Sequence, residues 1–123
     1  MKKILRKNLL NSRRKKYLEI SAKHIFNIFE LIKKEHKNSK VIGGYIPINY
    51  EYDCLSILKF LEKKNYRIAL PVIKKNFKMD FIQCSLDSTF TINQYGIPEP
   101  GDGKVVYPDI LLIPLVAFDK KLN

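Results

Sequence analysis

Apolar residues recur at helical spacing along the first third of the chain. Ile4, Leu5 and Leu9 share one face over residues 2 to 12, and Leu18, Ala22, Ile25, Phe29 and Ile32 share another over residues 13 to about 36. The pattern predicts two helices. His36-Lys37-Asn38-Ser39 breaks the period, and Lys40 to Ile46 then reads as a short strand that ends at Pro47. Its two glycines, Gly43 and Gly44, permit close backbone approach. Asn49 to Asp53 is a polar loop, and Asp53 stands as the N-cap of a helix carrying Leu55, Leu58 and Leu61 on its apolar side, closed by Lys63-Lys64-Asn65. A strand from Arg67 to Leu70 ends at Pro71, and two short strands are expected around Met79 to Cys84 and Phe90 to Ile92. The last strand is Ile110 to Ile113, ending at Pro114, within an apolar run to Phe118 that reads as buried on both faces.

Three of these strands share a layout, a short apolar run followed by proline, at Ile46-Pro47, Leu70-Pro71 and Ile113-Pro114. Proline cannot donate to a central ladder, so it marks strand ends or bulges. On neighbouring parallel strands, three such ends would lie along one edge of the sheet, where open α/β sheets bind ligands. Proline is also common at strand boundaries of no functional importance, and both readings stay open here.

Composition narrows the class. At 123 residues, with 46% apolar and 28% charged positions, the chain is expected to form one globular domain over residues 1–123. The net charge is +11, with the basic excess concentrated in the first forty residues. Such an excess suits a nucleic acid, an anionic membrane or an anionic small ligand, or is a solvated helical face. Tyrosines and basic residues interleave near Arg13 to Tyr17, but no RNA-binding signature accompanies them. Cys54 and Cys84 lack the spacing of a zinc site or a disulfide framework, which points to a reducing, cytoplasmic compartment. The longest apolar run, Ile110 to Phe118, is half the length of a membrane span, and Lys2-Lys3 is not followed by the apolar core of a leader, so no membrane partner is expected. His24 and His36 stand apart from any carboxylate or cysteine at ligand spacing, and no Ser-His-Asp pattern, P-loop or GxGxxG is present.

Read as an ordered set, the motifs resemble the 5-formyltetrahydrofolate cyclo-ligase (methenyltetrahydrofolate synthetase) family. The matching residues are Lys2-Lys3-Ile4-Leu5-Arg6; Tyr45-x-Pro47-x-x-x-Glu51-x-Asp53; Met79-x-Phe81; Tyr95-Gly96-Ile97-Pro98-Glu99-Pro100; Pro108-Asp109; and Pro114-Leu115-Val116-Ala117-Phe118-Asp119. The resemblance implies a Rossmann-like α/β fold, a three-layer sandwich with N-terminal helices and a mostly parallel sheet. It also implies the ATP-dependent, ADP-forming cyclisation of 5-formyltetrahydrofolate to 5,10-methenyltetrahydrofolate with Mg2+. ATP is expected at Lys2, Lys3, Ile4, Leu5 and Arg6; Lys2 and Arg6, at i and i+4, present two cations from one helical face to phosphate oxygens. Ile46 and Glu51 are expected to border the folate pocket, where a carboxylate can accept from an amino-pyrimidine edge. Gly96 and the prolines shape a loop that would hold Tyr95 over a flat ring, although Tyr95 and Phe81 also read as ordinary core aromatics.

In the family, the Phe-Asp step is followed by a glycine-rich Arg-Leu-Gly-x-Gly-x-Gly-x-Tyr-Asp-Arg segment around the phosphates and metal. That segment is not in this sequence. The expectation is therefore a C-terminally truncated domain, with no catalytic residue or metal ligand assigned, the sheet incomplete on its C-terminal side and Ile110 to Phe118 left as an edge. A separately encoded C-terminal fragment as partner, a non-catalytic remnant, and a small basic nucleic-acid-binding module as the weakest alternative complete the readings.

Overall fold

The computed structural model describes residues 2–15, 22–48 and 51–114, without the side chains of Arg13, Arg14, Lys15 and Phe77. Helix α1 spans Lys2–Lys15 and α2 spans Ala22–Glu35. The helix break expected between residues 12 and 13 does not occur: Asn11 to Lys15 contains neither glycine nor proline, and nothing interrupts the hydrogen-bond ladder. Leu18 lies outside the described residues. Strand β1 is Val41–Gly43, α3 is Cys54–Lys63 and β2 is Arg67–Ile73. They are followed by β3 (Met79–Cys84), β4 (Phe90–Ile92), β5 (Pro98–Pro100), β6 (Val105–Val106) and β7 (Ile110–Leu111).

The main sheet runs in the order β6-β3-β2-β1-β7. β1 pairs in parallel with β2 and with β7, whereas β3 is antiparallel to both β2 and β6, so four of the five strands run one way. This is the mixed, mostly parallel α/β sheet expected. β4 and β5 form a separate antiparallel hairpin. Neither β5 nor β6 was expected as a strand: β5 begins and ends in proline, and β6 is only two residues long.

Asp53 caps α3 as expected, accepting from Leu55 N–H (3.1 Å) and Ser56 Oγ–H (2.9 Å). The helix ends at Lys63, and Asn65 adopts φ +71. Its inner face, Ile57, Leu58 and Leu61, packs with Ile32 of α2 and with Ile42, Ile68 and Leu70 of the sheet. Each fully buried leucine or isoleucine there contributes about 1.5–3 kcal/mol. Gly44 is required by this packing, because a Cβ there would lie 2.5 Å from Leu58 Cδ1. The opposite face carries a smaller cluster, Val41, Ala69 and Val106 with Phe81 against it. α2 and α3 form the helical layer over the first face, and no described side chain of α1 is buried.

The proline boundaries differ from expectation in two places. β1 stops at Gly43, before Pro47, because the chain turns away after the Gly44 N–H bonds Ala69 O at 3.0 Å. β2 does not stop at Pro71. Arg67 N–H bonds Lys40 O at 2.8 Å and Ala69 O accepts from Gly44, so both residues face β1. By the two-residue alternation Pro71 and Ile73 face the same way, beyond the end of β1. Proline therefore stands where no acceptor is waiting, while Leu70, Val72 and their neighbours keep β2 paired to β3 as far as Ile73↔Met79.

β7 is likewise shorter than expected, with Leu112 N–H to Gly43 O (2.9 Å) as its last bond to β1. It is not buried on both faces: Ile110 and Leu112 reach the core, but Leu111 is 47% and Ile113 is 67% exposed. Among the described residues β7 is an edge strand. Residues 115–118 of the apolar run lie outside the description.

Candidate functional site

The carboxyl ends of β1, β2 and β7 share one edge of the sheet, and two cavities open along it. The first, about 360 Å3, is lined by Ile28, Tyr45, Tyr52, Cys54, Ile57 and the Leu111–Ile113 segment. It forms because the chain leaves β1 at Gly43, loops out and returns into α3. That loop is closed by two contacts: Tyr45 O–H donates to Tyr52 O (2.8 Å) and Cys54 Sγ–H donates to Tyr45 O (2.9 Å). Burial pushes the Tyr45 hydroxyl above its ordinary range, with the neighbouring Cys54 and Glu51 charges adding to the effect. Burial also raises the Cys54 thiol to about 11, so at neutral pH it is a protonated donor and not a nucleophile.

Ile46 and Glu51 lie on this loop, between the lining residues Tyr45 and Tyr52. Ile46 is half-buried against the core, and Glu51 is half-buried with its N–H bonded to Ile48 O at 3.0 Å. Neither Ile46 nor Glu51 is among the residues that line the cavity. Residues 49 and 50 are outside the described set.

The second cavity, about 310 Å3, lies at the end of β2, between Ile73, Lys74 and Lys75 on one wall and Asn93, Gln94 and Tyr95 on the other. The second wall is the tip of the β4–β5 hairpin. Asn93 Oδ1 accepts from Tyr95 N–H (2.8 Å) and Ile97 N–H (3.0 Å), and Gly96 takes φ +74, a conformation other residues resist. Tyr95 is held out at 52% exposure, whereas Phe81 is half-buried in the second core cluster. The two aromatics left undecided by the sequence are thus separated: Phe81 packs in the core, and Tyr95 faces solvent at a cavity.

One strut fixes the distance between these walls. Glu99, on β5, is the one buried charged residue among the described residues, 9% exposed, and its Oε2 accepts from Ile73 N–H at 2.9 Å. Ile73 is the residue whose N–H points past the end of β1 and has no strand partner. Glu99 lies within the motif Tyr95-Gly96-Ile97-Pro98-Glu99-Pro100, but its burial could not be read from a sequence in which acids are mostly exposed. Tyr45, Tyr52, Cys54, Lys74 and Lys75 were also not singled out as site residues. Only their position after a strand end offered a signal.

The third group is apart. Lys2, Lys3, Ile4, Leu5 and Arg6 occupy the start of α1, all exposed, with no acid in the first turn. None of them lines either cavity. Asp109 has a structural role: its Oδ2 accepts from Lys40 N–H (2.9 Å) and Val41 N–H (3.0 Å), fixing the entry of β7 beside β1. Those two backbone donors hold its carboxyl below the usual range. Among the described residues no helix is long and apolar enough to cross a membrane.

A mostly parallel sheet with a helical layer and cavities at the carboxyl ends of adjacent strands defines an open α/β domain, a class whose ligands bind at that edge. The sequence model of the 5-formyltetrahydrofolate cyclo-ligase family matches residues 1–123, and the chain belongs to that family. It is 32% identical over 109 residues to the 5-formyltetrahydrofolate cyclo-ligase of Haemophilus influenzae, a match covering 83% of this chain and 56% of that relative. Among solved structures, the Aquifex aeolicus 5,10-methenyltetrahydrofolate synthetase is similar with a TM-score of 0.72 and 26% identity, over 96% of this chain and 62% of that one. The Mycoplasma pneumoniae 5,10-methenyltetrahydrofolate synthetase shares the fold, with a TM-score of 0.59 at 21% identity, over 97% of this chain and 66% of that one. The chain thus spans about 56% of the length of the curated relative.

Proposed function

We propose that the chain forms the folate-binding side of a 5-formyltetrahydrofolate cyclo-ligase, acting in the ATP-dependent, ADP-forming conversion of 5-formyltetrahydrofolate to 5,10-methenyltetrahydrofolate. The observation that carries this reading is the Tyr45–Cys54 loop, closed round a cavity at the carboxyl edge of the sheet with Glu51 and Ile46 on it, in a chain of this family.

The chemistry sets what the residues must do. A formamide oxygen is a poor leaving group. Transfer of the γ-phosphoryl group to that oxygen releases ADP and makes it a phosphate leaving group, N10 then attacks the formyl carbon and gives up its proton, and the C–O bond breaks as phosphate departs. The protein's task is to align N10, the formyl carbon and the phosphoryl donor and to offset developing negative charge. In this reading Glu51 accepts hydrogen bonds from the pterin's amino-pyrimidine edge, Ile46 covers the ring, and Tyr95 stacks on a second flat part of the ligand.

Lys2 and Arg6 hold phosphate oxygens of ATP, with Lys3, Ile4 and Leu5 in the same turn. The fit rests on exposed cations at a helix start that carries no acid, where the free backbone N–H groups also favour an anion. Among the described residues no three His, Cys, Asp or Glu side chains converge to hold a metal ion. Mg2+ would be held chiefly by the ATP phosphates and water, with one or two carboxylates at most as protein ligands. The glycine-rich phosphate segment of the family is not within these 123 residues.

The test is the ATP-dependent rise in methenyltetrahydrofolate absorbance, measured for the chain alone and for the chain mixed with a polypeptide carrying the family's glycine-rich segment. Formation of the product in the mixture supports the reading, and its absence in both samples defeats it. Arg6→Ala should weaken nucleotide binding; unchanged affinity would remove α1 from the ATP site.

A further inference from the structure

The second cavity is one-sided in its charge, lined by two lysines and no acid. Asn93 Oδ1 is committed to two backbone N–H groups, and Gln94 brings a second side-chain amide. Donors are in surplus. Lys74 and Lys75 line the cavity, both exposed, and among the described residues no carboxylate is within ion-pairing distance of either. Asn93 Nδ2 is buried without a hydrogen-bond partner.

The turn that presents the lysines is fixed. Lys74 N–H bonds Lys78 O at 2.6 Å and Asn76 adopts φ +63, which adds the exposed Lys78 as a third positive charge within five residues. Like charges gathered on a rigid turn repel one another and raise the local concentration of an anion. Across the cavity stands the half-exposed ring of Tyr95. A ring face opposite unpaired ammonium groups suits a ligand in which a flat ring leads directly into a carboxylate-bearing chain.

We propose that Lys74 and Lys75, with Tyr95, form the subsite for the aminobenzoyl-glutamate tail of the folate, the lysines holding the glutamate carboxylates. The assignment rests on the folate reading above and adds to it residues that select the ligand by its tail.

The test compares 5-formyltetrahydrofolate with 5-formyltetrahydropteroate, which lacks the glutamate, by calorimetric titration of the 123-residue chain and of the exposed-site double variants Lys74→Gln/Lys75→Gln and Lys74→Arg/Lys75→Arg. Two exposed charge pairs should make the glutamate-bearing ligand bind roughly fivefold more tightly at low salt. That preference should fade by about 0.5 M salt, vanish in the glutamine variant and persist in the arginine variant, with pteroate affinity unchanged throughout. Equal affinity of wild type for the two ligands overturns the subsite and leaves the folate reading standing. Failure of both ligands to bind overturns both. A glutamine variant that loses ATP affinity while keeping the glutamate preference shows that the lysines hold phosphate, and also overturns the subsite.

Discussion

Replacing Glu99 with alanine tests the strut between the main sheet and the Tyr95 hairpin. The substitution removes the acceptor for Ile73 N–H, a part-buried donor with no strand opposite it. A hydrogen bond to a charged group is worth about 1.5–3 kcal/mol, and an unsatisfied donor costs about 1–3 kcal/mol, so Glu99→Ala should lose about 2 kcal/mol. For a chain of this size that is a fall in Tm of roughly 8 °C. Glu99→Gln keeps a carbonyl oxygen at the same place and should lose less than about 1 kcal/mol. Urea unfolding of the three proteins supplies the stabilities. Titration with 5-formyltetrahydrofolate supplies the functional consequence: in Glu99→Ala the wall bearing Tyr95 loses its tether, and folate affinity should drop severalfold while ATP affinity holds. An alanine variant as stable as wild type, or a glutamine variant as damaged as alanine, would refute the assignment of Glu99 as a strut.

Three further outcomes follow from other parts of the molecule. Gly44→Ala should destabilise the chain by about 1–3 kcal/mol in urea unfolding, because the new methyl meets the fully buried Leu58 and cannot be accommodated without moving it. Asp109 has a depressed carboxyl in the folded chain, so its contribution is present above the unfolded value of about 3.8 and is lost as pH falls through the lower folded value. Asp109→Asn should therefore lower Tm at neutral pH and make the acid limb of the Tm–pH curve shallower; identical curves would show that the clip to Lys40 and Val41 is not holding β7. Glu51→Gln should weaken binding of 5-formyltetrahydrofolate without changing that of ATP, as read by parallel titrations.

What the sequence could and could not reveal divides along physical lines. α3 was legible to the residue because its determinants are local: an aspartate cap, apolar positions at helical spacing, and a Lys-Lys-Asn end. The parallel core strands were legible for the same reason, being short apolar runs. Their lengths were not, because pairing ends where the neighbour ends: β1 gives out at Gly43, and β2 carries Pro71 through a stretch where no partner waits for an N–H. The apolar run from Ile110 looked buried on both faces from composition alone, yet Leu111 and Ile113 are exposed on an edge strand.

The same distinction applies to the site. Glu51 and Tyr95 could be named from motif and turn chemistry. Their separation, Glu51 on the loop that closes the first cavity and Tyr95 on a wall of the second, depends on the strand order β2-β1-β7, which no local pattern encodes. Glu99 was in view as part of Tyr95-Gly96-Ile97-Pro98-Glu99-Pro100, and only tertiary structure shows that it is buried and bonded to Ile73. Lys74 and Lys75 gave no signal as cavity-lining residues because lysines in a turn are ordinary until both walls of the cavity are known.

Calorimetric titration of the chain with 5-formyltetrahydrofolate, in the absence of nucleotide, tests the central claim most directly. Saturable binding at a single site, weakened by Glu51→Gln and by Tyr95→Ala in proteins of unchanged Tm, is the predicted result. A flat titration, or binding indifferent to both substitutions, would show that the carboxyl edge of this sheet is not a folate site.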